Sequence, residues 1–166
     1  MQLVVLGLNH KTVSVDIREQ FAISEESARS GLRHLDEQEG IEEAVVLSTC
    51  NRTEIYAVLK NGAARKTLYQ FFLALSGNSE AKKEYFFYFE GEACIRHLFE
   101  VASGLDSMVI GESQILNQIK TAYTMALSEK ATKTILNTLF HRAITTGKRV
   151  RTETRISYSA VSVSYR

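Results

Sequence analysis

Cys50 and Arg52 stand two residues apart in the run Leu47-Ser48-Thr49-Cys50-Asn51-Arg52-Thr53-Glu54. A thiolate is a strong nucleophile, and a neighbouring cation lowers a thiol pKa and raises the thiolate fraction. The guanidinium can also meet an anionic substrate. Residue types alone leave two readings open. One is a reactive thiol presented at a corner; the other is a small buried thiol at a strand end, because free cysteine is among the most buried residue types. Cys94 stands in an apolar helical pattern and reads as structural. His97, three residues on, reads either as a satisfied core histidine or as an acid–base group. Asn9 to Thr12 form a second polar cluster, and Ser107, Glu112, Gln114 and Gln118 a third. Gln118 lies four residues beyond Gln114 on the same helix face, and a solvated surface is the plain alternative for both. Lys148, Arg149, Arg151 and Arg155 make a basic run that suits a solvated helix face or a track of phosphates.

The elements that must hold these groups follow from apolar periodicity. Gln2 to Leu8, Ala44 to Ser48, Glu54 to Leu59 and the aromatic run Tyr85 to Phe89 read as strands. The cysteine corner then joins the second strand to the third. Ser24 is a candidate N-cap, with Glu25 and Glu26 in the first turn and Ala28, Leu32 and Leu35 on the inner face before Gly40. A second helix carries Leu68, Phe71, Phe72 and Leu75 and ends at Gly77. The order β-α-β-β-α-β is the split βαβ pattern of a ferredoxin-like sandwich, an α+β fold. From Glu92 onward the pattern is helical: Cys94, His97, Leu98 and Val101, then a break over 103–107. A longer helix opens at Glu112 with Ile115, Ile119, Ala122, Tyr123 and Ala126 inside. A last helix runs from about Lys133 to Thr154, with Ile135, Leu139, Ile144 and Val150 as its apolar stripe.

The totals narrow the classes. The 166 residues, 45% hydrophobic and 23% charged, suit one soluble domain, 1–155, with 156–166 as the start of a connection. A net charge of +1 leaves an anionic partner to be met by a local patch. Two cysteines and four histidines give neither a disulfide framework nor zinc spacing. No apolar run reaches membrane-spanning length, and no basic leader precedes the first strand, so a cytoplasmic protein is expected. No GxGxxG follows a strand, so a dinucleotide fingerprint is absent. Proline is absent altogether.

Three motifs resemble glutamyl-tRNA reductase: Gly7-Leu8-Asn9-His10-Lys11-Thr12, the cysteine corner from Leu47 to Glu54, and residues 102–112, ASGLDSMVIGE. The resemblance runs over essentially the whole chain. It implies a catalytic domain whose full-length form adds an NADPH-binding domain and a helical dimerisation domain, joined by a long spinal helix. It implies Cys50 as nucleophile, a pocket of Thr49, Asn51, Arg52, Ser107, Glu112, Ser113, Gln114 and Gln118, and a His97 needed for activity. Implied partners are glutamyl-tRNA, a second subunit and glutamate-1-semialdehyde aminomutase, the fragment alone being monomeric. Val13-Ser14 and Ser113 depart from the family pattern, which has Ala-Pro and Pro there. Both affect backbone stiffness rather than reacting groups.

The chemistry suits the residues. An aminoacyl-tRNA is an activated ester, and thiolate attack gives a thioester. In the full-length enzyme NADPH would reduce that thioester to glutamate-1-semialdehyde, the first step toward tetrapyrroles such as haem. Without the cofactor domain, hydrolysis is expected instead. A guanidinium can hold the glutamate carboxylate with two parallel bonds, and Glu112 is a candidate acceptor for the α-ammonium. The alternative is a non-catalytic ferredoxin-like module that binds RNA through aromatics on its sheet.

Overall fold

Gln2–Asn9 (β1) is extended because its apolar run can be buried on both faces. The computed structural model describes residues 1–106 and 114–154. Ile41–Ser48 (β2) and Arg52–Leu59 (β3) form a hairpin; β1 lies antiparallel to β3 on one side and to Phe87–Glu90 (β4) on the other. The sheet order is β2-β3-β1-β4, antiparallel throughout. Val15–Gln20 (α1) and Glu25–Arg33 (α2) connect β1 to β2, and Ala64–Ser76 (α3) connects β3 to β4. Glu92–Ala102 (α4), Gln114–Ser128 (α5) and Thr134–Thr154 (α6) follow. The mixed α+β class expected from the sequence is the one observed.

Alternation along β3 sorts the layers. Glu54 bonds to His97 of α4 and Tyr56 meets Phe140 of α6 edge-on, so this face of the sheet is covered by α4 and α6. Ile55 and Ala57 turn to the opposite face, where α2 and α3 lie. Covering both faces buries every residue of β3, including the charged Arg52 and Glu54. Two glycines permit this. A Cβ on Gly7 would lie 2.9 Å from the Glu54 side chain, the Phe87 ring and the Thr53 carbonyl, so a bare backbone in β1 makes room for Glu54. A Cβ on Gly147 would meet the Ala102 carbonyl at 2.6 Å, so α6 crosses the end of α4 in close contact. The start of α6 is capped from across the domain: the buried Glu43 carboxylate accepts the N–H groups of Lys133 (2.6 Å) and Leu136 (3.0 Å).

The Ser24 cap, the Gly77 stop and the inner face of α5 agree with the sequence reading. Four local expectations change. Helix α1 has no apolar period to announce it. Helix α2 ends at Arg33 and gives way to a 3-10 turn over Leu35–Glu37, leaving Gly40 (φ 84°) just ahead of β2. The aromatic strand starts at Phe87 rather than Tyr85, because turn bonds from Tyr85 and Phe86 back to Lys82 and Lys83 hold the preceding residues. The buried stripe of α6 is Leu136, Leu139, Phe140, Ala143 and Gly147; Ile135 is exposed, and Ile144 and Val150 are only partly covered. Small residues make the close helix contact there, so hydrophobicity alone misplaces the face. Among the described residues no helix is long and apolar enough to cross a membrane.

Candidate active site

The β2–β3 hairpin turns through Thr49, Cys50 and Asn51. The Thr49 N–H donates to the Arg52 carbonyl (2.8 Å), and the Asn51 N–H donates to Thr49 Oγ1 (3.1 Å). These bonds close a short turn and leave Cys50 exposed at its tip. Arg18 braces the turn from α1: its Nε donates to the Cys50 carbonyl (3.3 Å), and its Nη1 to the Val13 carbonyl (2.9 Å). Cys94 is the opposite case. It is buried on the inner face of α4, and burial, with the Glu54 carboxylate nearby, pushes its thiol up to about 12. The two thiols therefore differ in access before any chemistry is invoked.

Behind the turn lies a buried ionic network. The Glu54 carboxylate, fully buried, accepts from Tyr56 Oη (2.7 Å) and Arg52 Nη1 (3.1 Å) and lies 2.7 Å from His97 Nε2. Asp106, at the close of the turn after α4, accepts from Arg52 Nη1 (3.1 Å) and from Lys11 Nζ, and its backbone carbonyl accepts from Arg52 Nη2. Arg52 is 1% exposed, and its Nε is buried without a hydrogen bond. Burial alone would raise the Glu54 carboxyl; His97, then Arg52 and Tyr56, outweigh it and hold it below the usual range. Asp106 is lowered in the same way, the bonds from Lys11 and Arg52 overcoming burial. With Glu54 ionised, His97 Nε2 carries the proton facing it, and Nδ1 lies 3.9 Å from Asp106 Oδ2. His10, beside this network, is lowered by burial and then by the charge of Arg52.

Two cavities lie at this end of the sheet. One, of about 420 Å3, runs between β2 and α5 and is lined by Ser48, Glu25, Gln114 and Gln118 among others. The other, of about 320 Å3, lies beside β4 and α4 and is lined by Asn9, Lys11, His97 and Asp106 with Phe87 and Phe89. The fold thus brings Gln114 and Gln118 to a cavity beginning two residues from Cys50, and puts His97 on a separate one. Ser107, Glu112 and Ser113 lie outside the described residues, as does Arg155. Within the basic run on α6, Arg149 pairs with Glu153 and Arg151 donates to the carbonyls of Ala102 and Gly147, so Arg151 serves as a helix tie.

Sequence reasoning did not find the roles of Glu54, Tyr56, Asp106, Lys11 and Arg18. A carboxylate at the head of the apolar run Ile55 to Leu59 was the one signal for Glu54. Among the described residues no group of His, Cys, Asp and Glu could hold a metal ion. Nor do the described residues fit a dinucleotide: their sheet has no parallel pair, and the β3–α3 and β4–α4 junctions carry single glycines, Gly62 and Gly91.

Comparison with known proteins agrees across sequence and structure. The family described as "Glutamyl-tRNAGlu reductase, N-terminal domain" matches residues 6–154. The chain is 47% identical to a glutamyl-tRNA reductase of Trichlorobacter lovleyi and 50% identical to one of Geobacter metallireducens, over 99% of its own length and 38% of theirs. It therefore spans under two-fifths of these relatives. The solved glutamyl-tRNA reductase from Methanopyrus kandleri superposes with a TM-score of 0.78 at 35% identity, covering 93% of this chain and 35% of that one. The turn that exposes Cys50, the fold that carries it and the sequence around it all lead to one assignment: the chain belongs to the glutamyl-tRNA reductase N-terminal domain family.

Proposed function

We propose that this chain supplies the acyl-transfer half of a glutamyl-tRNA reductase, with Cys50 as nucleophile. The observation that carries the reading is the contrast between its two thiols: Cys50 exposed on a braced turn, Cys94 buried and held protonated. Cys50 Sγ attacks the acyl carbon of glutamyl-tRNA, the bond to the ribose oxygen breaks, and that oxygen leaves as a hydroxyl after taking a proton. Thr49 and Asn51 flank the thiol; Gln114 and Gln118, with Ser107, Glu112 and Ser113, complete the glutamyl pocket. Arg52 takes the substrate carboxylate by giving up part of its bonding to Asp106, and His97, held by Glu54, serves the proton transfer.

Reduction of the thioester to glutamate-1-semialdehyde belongs to a full-length enzyme with NADPH. The described residues of this chain offer that cofactor no strand–glycine loop–helix unit. The domain assignment, 1–155 catalytic with 156–166 leading onward, is part of the same proposal. So are a homodimer and an aminomutase partner for the full-length protein, a monomeric state for this chain, and a ferredoxin-like classification of the sheet with α1–α3. The strand order and the two helical connections support that last point.

The test is intact-mass analysis after mixing the 166-residue chain with glutamyl-tRNA, alongside release of labelled glutamate. The expected result is a glutamyl adduct on Cys50 that water cleaves, giving free glutamate and regenerating the thiol. The rate should not depend on NADPH, and no aldehyde should be trapped. A folded chain that neither forms the adduct nor releases glutamate overturns the reading.

A further inference from the structure

We propose that the cavity between the first turn of α3 and the edge strand β4 is a docking site for the phosphate backbone of tRNA. The inference rests on the function proposed above and adds the place where the body of the substrate lies. The cavity measures about 500 Å3 and sits on the face of the sheet opposite His97. Arg65, Lys66 and Lys83 bring three cations to it, and Tyr69, Phe86 and Tyr88 wall it. No carboxylate is among its lining residues, and the nearest acidic influence on its wall is Glu90, beside Tyr88.

Among the described residues, Arg65, Lys66 and Lys83 enter no ion pair, whereas Arg29, Arg33 and Arg52 each meet a carboxylate. Lys60, Lys120, Arg142 and Lys148 are likewise outside the ion pairs, but this cavity gathers three such cations on one wall, a local patch on a chain of net charge +1. The Arg65 guanidinium is already held, 3.8 Å above the Tyr88 ring, so less freedom is lost when it binds an anion. The Tyr88 hydroxyl is buried, with the Glu90 carboxylate beside it. Burial, with Glu90 beside it, pushes that phenol up to about 12, so it remains a donor at neutral pH.

The cations sit on two elements, α3 and the turn over Lys83–Tyr85, and all are exposed. That spread suits successive phosphates better than one small anion. The location suits a tRNA as well. Strand β3 carries the chain away from the Cys50 corner for roughly 20–25 Å at strand rise before α3 begins. A tRNA whose aminoacylated 3′ end reaches Cys50 must lay its paired stem at some such distance.

The experiment compares the wild-type chain with the Arg65→Gln, Lys66→Gln, Lys83→Gln triple variant. Binding of uncharged tRNA is measured from low to moderate salt, with Cys50 alkylation rate and thermal midpoint as controls. The triple variant should bind about tenfold or more weaker, and its log–log salt slope should shrink by about 2 to 3, as expected for three lost phosphate contacts. Alkylation of Cys50 and folding should not change. Equal affinity and slope in the two proteins would overturn the proposal. So would protection of the site by a mononucleotide as effective as tRNA, which would make it a small-ligand pocket. A wild-type chain that forms the glutamyl adduct yet shows no tRNA affinity lost through these cations sinks this inference alone. A chain that neither binds tRNA nor forms the adduct sinks the functional reading with it.

Discussion

Cys50→Ser abolishes the glutamyl adduct and brings glutamate release down to the uncatalysed rate, while stability stays within about 0.5 kcal/mol of wild type. The side chain is exposed at the tip of a turn held by backbone bonds and by Arg18, none of which involves sulfur. Replacing sulfur by oxygen therefore leaves the turn in place. What changes is the attacking group: a serine hydroxyl has almost no ionised fraction near neutral pH, whereas a thiol has a usable thiolate fraction. Cys94→Ser should do the reverse. It buries a hydroxyl where a thiol was, at a cost of about 1–3 kcal/mol, and leaves adduct formation intact. Mass spectrometry and thermal melts on the two variants give opposite patterns if the assignment holds. A Cys50→Ser protein that still releases glutamate at the wild-type rate would remove Cys50 from the chemistry.

Arg52→Met is the second large effect, and it appears in stability. Arg52 is the cation shared by two buried carboxylates, Glu54 and Asp106. Removing one partner of a buried pair leaves uncompensated charge and costs about 3–5 kcal/mol, which for a chain of this size lowers the thermal midpoint by roughly 10 °C or more. The pH dependence carries the sharper signature. In the native protein both carboxyls are held below their ordinary values. Their ionisation therefore stabilises the fold above about pH 4, and that contribution is lost as pH falls through the lowered native values. Without Arg52, burial is less opposed, both groups protonate more readily, and the acid limb of the stability curve moves to higher pH. Arg52→Lys should fall between, since an ammonium keeps the charge that Nη1 shares between the two carboxylates but lacks the second nitrogen that bonds the Asp106 carbonyl. Denaturant melts between pH 3 and 7 measure this. An unchanged acid limb in Arg52→Met would show that the network does not depend on the guanidinium.

The cysteine corner was legible because an apolar run, a polar interruption and a second run leave few other arrangements. The cap at Ser24, the buried face of α5 and the span of α6 were legible for similar reasons: each is a local pattern with a local cause. The network was not legible. Glu54 sits in a strand that reads as alternating, and nothing local says that both faces of that strand are covered. Of its partners Tyr56 and Arg52 lie on the same strand, but His97 arrives from α4, and Asp106 reaches Arg52 from the turn beyond it. Helix α1 is too short to show a period, yet it supplies the Arg18 brace. On α6 the hydrophobic residues Ile135 and Ile144 drew the stripe to the wrong side. The contact with α4 is made where Gly147 has no side chain, and absence of bulk has no hydrophobic signature.

The wide sequence spacing of the ionic network has a consequence for the order of folding. The turn that presents Cys50 joins adjacent strands and closes a short loop, an event of microseconds in small hairpins. Glu54 and His97 are 43 residues apart, Arg52 and Asp106 54, and Lys11 and Asp106 95. Their meeting must await closure of long loops, whose entropy is lost before any bond repays it. The charges stay hydrated until the sheet exists and α4 docks on it, so the Cys50 turn precedes the ionic network behind it. Mutations in the turn should slow folding, whereas Glu54→Gln and His97→Gln should chiefly speed unfolding. Stopped-flow kinetics would show this, and a Glu54→Gln protein that folds slowly but unfolds at the wild-type rate would reverse the order. Early in its life the chain is therefore a hairpin with an accessible thiol, open to oxidation before the network closes behind it.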